Sequence, residues 1–441
     1  MKLASWIFSL PLWAIAACSI PANADIGSGG VNAPEQRNKP YLILISIDGF
    51  RWDYQDLFET PALDRLAARG VRAESLQPVF PTLTFPNHYS IATGLYPANH
   101  GIIANDFPDP DSDDWYLHNR PKIVRQGRWY GGDPIWVAAE RSGMVSAAFF
   151  WIGTEADIKG IKPTYWHKFD YNTSARRRVR QVLKWLQMPV ETRPHFIALY
   201  FEHVDTNTHA NGIGSRESVR EIRRIDRYLG RLMDGIDKLP HSKEVYIIVV
   251  SDHGQSGYDR DAKILALDTF LNLDGISIVE GGTYANLFFD EKNPIRAGQI
   301  RDDINAVWRH GRAWLPDEAP KSWHINGGSG FPDVIVQPDP HFAVVSSQDK
   351  SQILNLGSHG WVPSFKDMHG IFIAAGPRLP EGQTIGIIES VDIYPLMMEI
   401  LEIPLTTPID GDPDKLTRFL GFKGSDPISK QDIMDGAESK Y

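Results

Sequence analysis

A chain of 441 residues, 42% hydrophobic and 23% charged, is long and apolar enough to bury one large core or two modest ones, which argues against disorder. Its single cysteine, Cys18, excludes a disulfide framework and any thiolate metal site, so a bound metal must sit on His and carboxylate groups. The net charge of −10 disfavours a nucleic-acid-coating surface, and no stable nucleic-acid complex is expected; once Lys2 is removed with the leader, 44 basic residues face 55 acidic ones.

In chain order, Lys2, the apolar run from Trp6 to Ala17 and Ala22-Asn-Ala24 ahead of Asp25 read as a secretory signal over residues 1–24. The run is short for a membrane span and Pro11 interrupts it. Ile15-Ala-Ala-Cys18 resembles a lipobox, so a leader ending before Cys18, with a lipid anchor on that residue, is the alternative. Either route places the protein in the periplasm, in the medium or on the cell envelope. Residues 25–39, rich in Gly, Asn and Pro, read as a linker, 40–422 as one folded domain, and 423–441 as a polar tail.

Within that domain, the continuous apolar run Tyr41–Ile47 predicts a strand buried on both faces, ending at Asp48-Gly49. A helix over 61–70 follows, with Pro61 at its first position and Leu63, Leu66 and Ala67 on one face. A second buried strand, His195–Phe201, leads into Glu202-His-Val-Asp205, and a third, Val245–Val250, into Ser251-Asp-His-Gly254. Between these two, residues 215–238 place apolar side chains at helical spacing. The stretch from about 262 to 352 reads as an insertion or cap that returns to the main sheet near Leu354. Strands alternating with amphipathic helices imply an α/β fold with a largely parallel sheet, whose ligands gather beyond the carboxyl ends of the strands.

That is where the chemistry-bearing residues fall. Asp48, Thr84, Asp205, His209, Asp252, His253 and His359 could form two metal sites, a mixed carboxylate and imidazole set that suits Zn²⁺. Singly, each has a bland reading as a turn, a cap or a packed side chain. Thr84 lies in Phe80-Pro-Thr-Leu-Thr-Phe-Pro-Asn-His-Tyr89, where a helix begins near Pro86. A capping Thr is also well placed to react, since a helix N-terminus favours an ionised hydroxyl and phosphate oxygens.

Six blocks carry a resemblance: Ser46-Ile-Asp-Gly-Phe-Arg51, the Thr84 block, His100-Gly-Ile-Ile-Ala-Asn105, Tyr200-Phe-Glu-His-Val-Asp205 with His209, Ser251-Asp-His-Gly254 and Gly357-Ser-His-Gly360. In this order they resemble the motifs of the nucleotide pyrophosphatase/phosphodiesterase family of the alkaline phosphatase superfamily, over roughly residues 41–405. The resemblance implies an alkaline-phosphatase-like three-layer α/β/α fold and two Zn²⁺ per chain, one on Asp205, His209 and His359, the other on Asp48, Thr84, Asp252 and His253. It implies that Thr84 attacks phosphorus to give a phosphothreonine, that Asn105 donates to a nonbridging phosphate oxygen, and that nucleoside 5′-monophosphates are released. Phe85, Phe169 and Tyr200 would contact the base of a nucleotide or another small phosphodiester. A lipid- or choline-phosphate diesterase using the same site is the alternative; a noncatalytic envelope binding protein is the alternative of another class.

Two departures from the family pattern are the loop Val204-Asp-Thr-Asn-Thr-His-Ala210 and Trp361 after Gly360, which either narrows the cavity or packs against the cap. Arg176, Arg177, Arg178 and Arg180 read as the solvated face of a helix, and His88, His100, His203 and His369 as supporting or packing residues. Asn172-Thr-Ser174 is a glycosylation sequon, and the acidic run from Asp106 to Asp114 lacks the Gly and Glu of a calcium loop. Oligomeric state is not legible.

Overall fold

The computed structural model describes residues 29–259, 264–325, 330–349 and 355–419. The expected leader with Cys18, and the tail 423–441, lie outside the described residues.

The strands Tyr41–Ile47 (β1), Gly70–Ala73 (β2), Ser146–Phe149 (β3), Tyr165–His167 (β4), Phe196–Phe201 (β5) and Val245–Val250 (β6) belong to one eight-stranded sheet. Four further strands, described below, build a separate sheet in the insertion, and Phe372–Ala375 (β11) and Gln383–Ile385 (β12) complete the first. Its order is β12-β2-β11-β6-β1-β5-β3-β4, and only β11 runs against its neighbours. β1, β5 and β6 are buried along their whole length, as continuous apolar runs require when both faces of a sheet are covered.

Alternation along the strands divides the core in two. Leu42 and Leu44 of β1 join one cluster, and Tyr41, Ile43, Ile45 and Ile47 the other. On the first face pack Thr84–Thr93 (α2), Ile135–Arg141 (α3) and Ile393–Ile400 (α8). On the second pack Pro61–Ala68 (α1), Ala175–Leu186 (α4) and Arg216–Ile236 (α6). The result is three layers. Helices α4 and α6 start where Ser174 and Ser215 accept the backbone N–H of Arg177 and Ser218, the capping that orphaned first-turn donors need. His203–Asn211 (α5) follows β5 directly. Helix α1 ends at Ala68, two residues short of the expected bound, because Gly70 already pairs with Ala375 as the start of β2.

The insertion carries a second sheet and also joins the main core through Tyr284, Phe288 and Ile335. Strands Ile276–Glu280 (β7), Ala285–Phe289 (β8), Gly311–Trp314 (β9) and Val334–Pro338 (β10) form an antiparallel sheet, with Pro294–Val307 (α7) against it. Leu287, Ile300, Ile304 and Trp308 give it a separate core. Residues 29–39, read from composition as a linker, lie against the body. The Asn32 amide donates to the carbonyls of Val190 (2.8 Å) and Arg193 (2.7 Å), and its oxygen accepts from Val145 N–H (2.7 Å).

Candidate active site

Adjacent parallel strands deliver their last residues to one edge of the sheet. Asp48 leaves β1, Asp252 and His253 leave β6, and β5 feeds α5, which carries Asp205 and His209 one turn apart. Thr84 is the first residue of α2, two residues earlier than the sequence places the helix start. His359 arrives from the segment returning from the insertion. All seven residues named from the sequence converge. The Nε2 atoms of His209 and His359 lie 3.2 and 3.8 Å from Asp205 Oδ1. His253 Nε2 lies 3.0 Å from Asp252 Oδ2, 3.6 Å from Asp48 Oδ1 and 3.3 Å from Thr84 Oγ1. The His253 and His359 rings stack at 3.6 Å between the two groups.

Each imidazole is aimed by its other nitrogen. Nδ1 of His209 donates to Gly357 O (2.8 Å), of His253 to Gly254 O (3.0 Å) and of His359 to Thr82 O (2.8 Å), which leaves the Nε2 lone pairs facing inward. His359 is clamped from both sides. Thr283 of the insertion donates its hydroxyl to His359 O (2.6 Å) and receives Gln337 Nε2 on its own carbonyl (2.9 Å). Thr82, two residues before Thr84, donates to Trp361 O (2.7 Å) and accepts from Gly360 N–H (2.9 Å). Gly360 has φ +113°, and a Cβ there would meet Thr283 Oγ1 at 2.2 Å, so only glycine fits.

Three carboxylates are crowded together out of water. Burial, Asp252 and Asp205 push the Asp48 carboxyl well above its usual range. Burial would lift Asp205 as well, but His209 and His359 hold it at about 2. Burial and the neighbouring His253 push His359 down to about 3. Asp48 Oδ1 and Asp252 Oδ2 are buried with no hydrogen-bond partner. Orphaned carboxylate oxygens facing inward-aimed imidazoles are a fit for divalent cations, whose charge would offset both the repulsion and the lost hydration. Donor atoms within 4.8 Å of one another occur in Asp205, His209 and His359, in Asp48, Asp205 and His253, and in Asp48, His88 and Asp252.

A cavity of about 410 Å³ opens above this centre, lined among others by Thr84, Phe85, Asn105, Phe169, Tyr171 and Tyr200. Asn105 Oδ1 accepts the Phe85 N–H (3.0 Å), which leaves its Nδ2 donors without a protein partner among the described residues. Phe169 is half-buried, wedged between Phe150 (5.0 Å) and Tyr171 (4.6 Å). The buried Tyr200 donates its hydroxyl to Asp48 Oδ2 at 2.5 Å, so its polar end is committed to orienting that carboxylate.

Sequence reasoning passed over Tyr171 and Gln255. Tyr171 is 69% exposed on the cavity wall, and the aromatic spacing of Phe169-Asp-Tyr171 was the available signal. Buried Gln255 donates to Asp205 Oδ1. His88, expected to support, contacts Thr84 O (2.9 Å) and Ser46 Oγ (2.8 Å) and sits 3.4 Å from Asp252 Oδ2, close enough to join that donor group. His100 packs against Ser90 Oγ (2.9 Å). Trp361 is fully buried and donates its indole N–H to Phe342 O (3.1 Å), so it packs against the insertion and leaves the cavity open. The loop around Asp205 is a regular helix despite its departure from the family pattern.

Arg178 corrects an expectation. It belongs to the core, not to the solvated face: its guanidinium grips Glu202 through both nitrogens (2.5 and 2.7 Å) and also donates to Tyr200 O (2.7 Å) and Thr173 O (3.0 Å). Phe150 lies under the guanidinium at 4.8 Å. Helical spacing puts Arg178 in line with buried Val182 and Trp185. The partner that makes this tolerable comes from just past the end of β5.

The profile of the family described as Type I phosphodiesterase / nucleotide pyrophosphatase matches residues 42–362, from β1 to just past His359. The chain belongs to this family. A pyrophosphatase/phosphodiesterase of Schizosaccharomyces pombe, itself described as uncharacterised, is 33% identical over 82% of the chain and 77% of its own length. Human ectonucleotide pyrophosphatase/phosphodiesterase family member 1 is 31% identical, and a venom phosphodiesterase of Crotalus durissus collilineatus 32% identical, over 86% and 89% of this chain. The chain spans under half the length of these two, 42% and 48%. Among solved structures, an inactive variant of murine ectonucleotide pyrophosphatase/phosphodiesterase 5 in complex with AMP superimposes with a TM-score of 0.80 at 26% identity, covering 87% of this chain and all of that one. The three layers are therefore the alkaline-phosphatase-like fold that the motifs imply.

Proposed function

We propose that this family member hydrolyses phosphodiester and pyrophosphate bonds in nucleotides, releasing nucleoside 5′-monophosphates, with Thr84 as nucleophile. The observation that carries the reading is the position of Thr84 Oγ1. It stands at the N-terminus of α2, 3.3 Å from His253 Nε2, beneath an aromatic-walled cavity. Two Zn²⁺, one on Asp205, His209 and His359 and one on Asp48, Thr84, Asp252 and His253, would supply the Lewis acidity that ionises a threonine hydroxyl at neutral pH and the charge that steadies the departing oxygen.

The chain's own groups do the rest. The α2 N-terminus favours the ionised hydroxyl and the phosphate oxygens. Asn105 Nδ2, held by the Oδ1 bond to Phe85, donates to a nonbridging oxygen. The Thr84 oxygen bonds to phosphorus as the bond to the leaving oxygen breaks. Water then attacks the phosphothreonine, its hydroxide going to phosphorus and its proton to Thr84. Tyr200 fixes Asp48, and Phe85, Phe169 and Tyr171 offer flat surfaces to a base. A neighbour of this fold that binds AMP supports the substrate class.

Choline-phosphate esters would meet aromatic walls in this cavity but no unmatched carboxylate. Its two carboxylates away from the metal-ligand set are already matched, Glu202 by Arg178 and Glu155 by Arg125 (2.7 Å) and the Phe169 N–H (2.8 Å), so neither is left to face a quaternary ammonium. No helix among the described residues is long and apolar enough to cross a membrane. The sequence signals for a leader over 1–24, together with relatives named as ecto- and venom enzymes, support an exported protein with its catalytic domain at 40–422.

The deciding assay compares p-nitrophenyl esters of thymidine 5′-monophosphate and of phosphocholine on purified protein, with metal content measured in parallel. Faster cleavage of the phosphocholine ester would sink the nucleotide reading. Thr84→Ala should lose turnover while keeping most of its metal; substantial diesterase activity in that variant would remove Thr84 from its role.

A further inference from the structure

The outer surface of α4 and α6 is basic in a protein of net charge −10. Helix α6 carries Arg216, Arg220, Arg223, Arg227 and Arg231 at spacings of four, three, four and four, which aligns all five along one stripe. Packed beside it, α4 adds Arg176, Arg177, Arg180 and Lys184. All nine are exposed, while the apolar stripes of both helices are buried against the same face of the sheet, so the two basic stripes share one outer layer.

Little on that layer neutralises them. Arg223 reaches Glu59 at 3.2 Å and Arg220 reaches Glu221 at 3.8 Å; the other seven form no ion pair among the described residues. Asp234, the exposed acidic residue on α6, is engaged by Arg65 of α1 (2.8 Å). The layer exposes no large apolar side chain that could insert into a bilayer, and its one partly exposed aromatic ring, Tyr228, lies under Arg231 (5.2 Å). Stacking on single-stranded nucleic acid therefore has no platform here.

We infer that this two-helix layer is an electrostatic docking surface for a membrane rich in anionic phospholipid headgroups. A flat array of cations without inserting groups matches a plane of phosphates, each arginine adding to the attraction within a Debye length. The position of the N-terminal chain agrees. Asn32 is pinned to the carbonyls of Val190 and Arg193, just beyond the end of α4, so the chain joins the body beside this layer. The cavity lies past the opposite ends of the helices, where Arg178 in the first turn of α4 meets Glu202 on the cavity wall. A docked protein keeps its mouth open along the membrane.

The test is co-sedimentation of the exported protein with vesicles of phosphatidylcholine alone or mixed with phosphatidylglycerol, at about 0.05 M and about 0.5 M salt, where the Debye length falls several-fold. Binding should be at least about tenfold tighter to the anionic vesicles, and that excess should vanish at high salt. The variant Arg176→Glu/Arg180→Glu/Arg227→Glu/Arg231→Glu should lose the excess while keeping the parent's melting temperature and turnover of a soluble diester. Equal binding to both vesicle types, an excess that survives high salt or the four substitutions, or tighter binding to duplex DNA than to anionic vesicles would each overturn the proposal. The lipid and salt dependence of the unsubstituted protein decides the matter even if the variant fails to fold.

Discussion

Arg178→Met isolates the energetic cost of the buried pair beneath the cavity. The substitution keeps an unbranched side chain of similar length between Phe150 and Phe201 but removes every donor. Glu202, only 6% exposed, is then left with a buried carboxylate and no counter-charge, and the carbonyls of Thr173 and Tyr200 each lose a donor. Removing one member of such a pair costs about 3–5 kcal/mol, a large share of a typical domain's stability. Adding Glu202→Gln removes the stranded charge, so the double variant should be more stable than Arg178→Met alone by at least about 1 kcal/mol. Urea unfolding of the parent, both single variants and the double variant measures this directly. A loss below about 1 kcal/mol in Arg178→Met, or a double variant no more stable than it, would refute the argument that the charge pair, and not packing alone, holds this wall.

Asn105→Ala should lower kcat about 10²–10³-fold, as for loss of one oxyanion donor; a change confined to KM would place the amide in ground-state binding instead. Thr283→Val frees the His359 carbonyl from the insertion, so a metal held through His359 should leave at about tenfold lower chelator concentration while Thr283→Ser behaves as the parent, followed by metal analysis during chelator titration. Asp133 yields a pH signature. Burial alone would raise its carboxyl, but bonds from Arg141 and Lys159, both 2.7 Å, hold it below the ordinary value. The stabilisation is therefore present above the unfolded aspartate pKa of about 3.9 and is lost as pH falls through the lower folded value. Asp133→Asn should lower the melting temperature at pH 7 clearly more than at pH 3, and an equal drop at both would exclude this origin.

Much of the site was legible because parallel strands that are apolar throughout announce themselves, and the residues that follow them must emerge at one edge. Asp48, Asp205, Asp252 and His253 were readable from that logic alone, whereas His209 came in with the motif it shares with Asp205, and the one-turn spacing of the two emerged with helix α5. Thr84 was readable from a helix start beside Pro86, although the helix begins at Thr84 itself. The insertion was visible as a break in the strand and helix rhythm. What no local pattern could carry was pairing between distant segments. Arg178 sits among other arginines in the sequence, and only the approach of Glu202 turns it from a solvated charge into a buried one. Thr283 is one threonine among many until the fold brings its hydroxyl to the His359 carbonyl 76 residues away. The sequence by itself determined the layers and the strand ends where carboxylates and imidazoles gather, because burial periodicity and strand-end chemistry are properties of neighbouring residues. Tertiary structure alone decided which nitrogen of each imidazole faces the centre, which carboxylates are paired and which left bare, because hydrogen bonds and desolvation depend on whatever the fold places within about 3 Å.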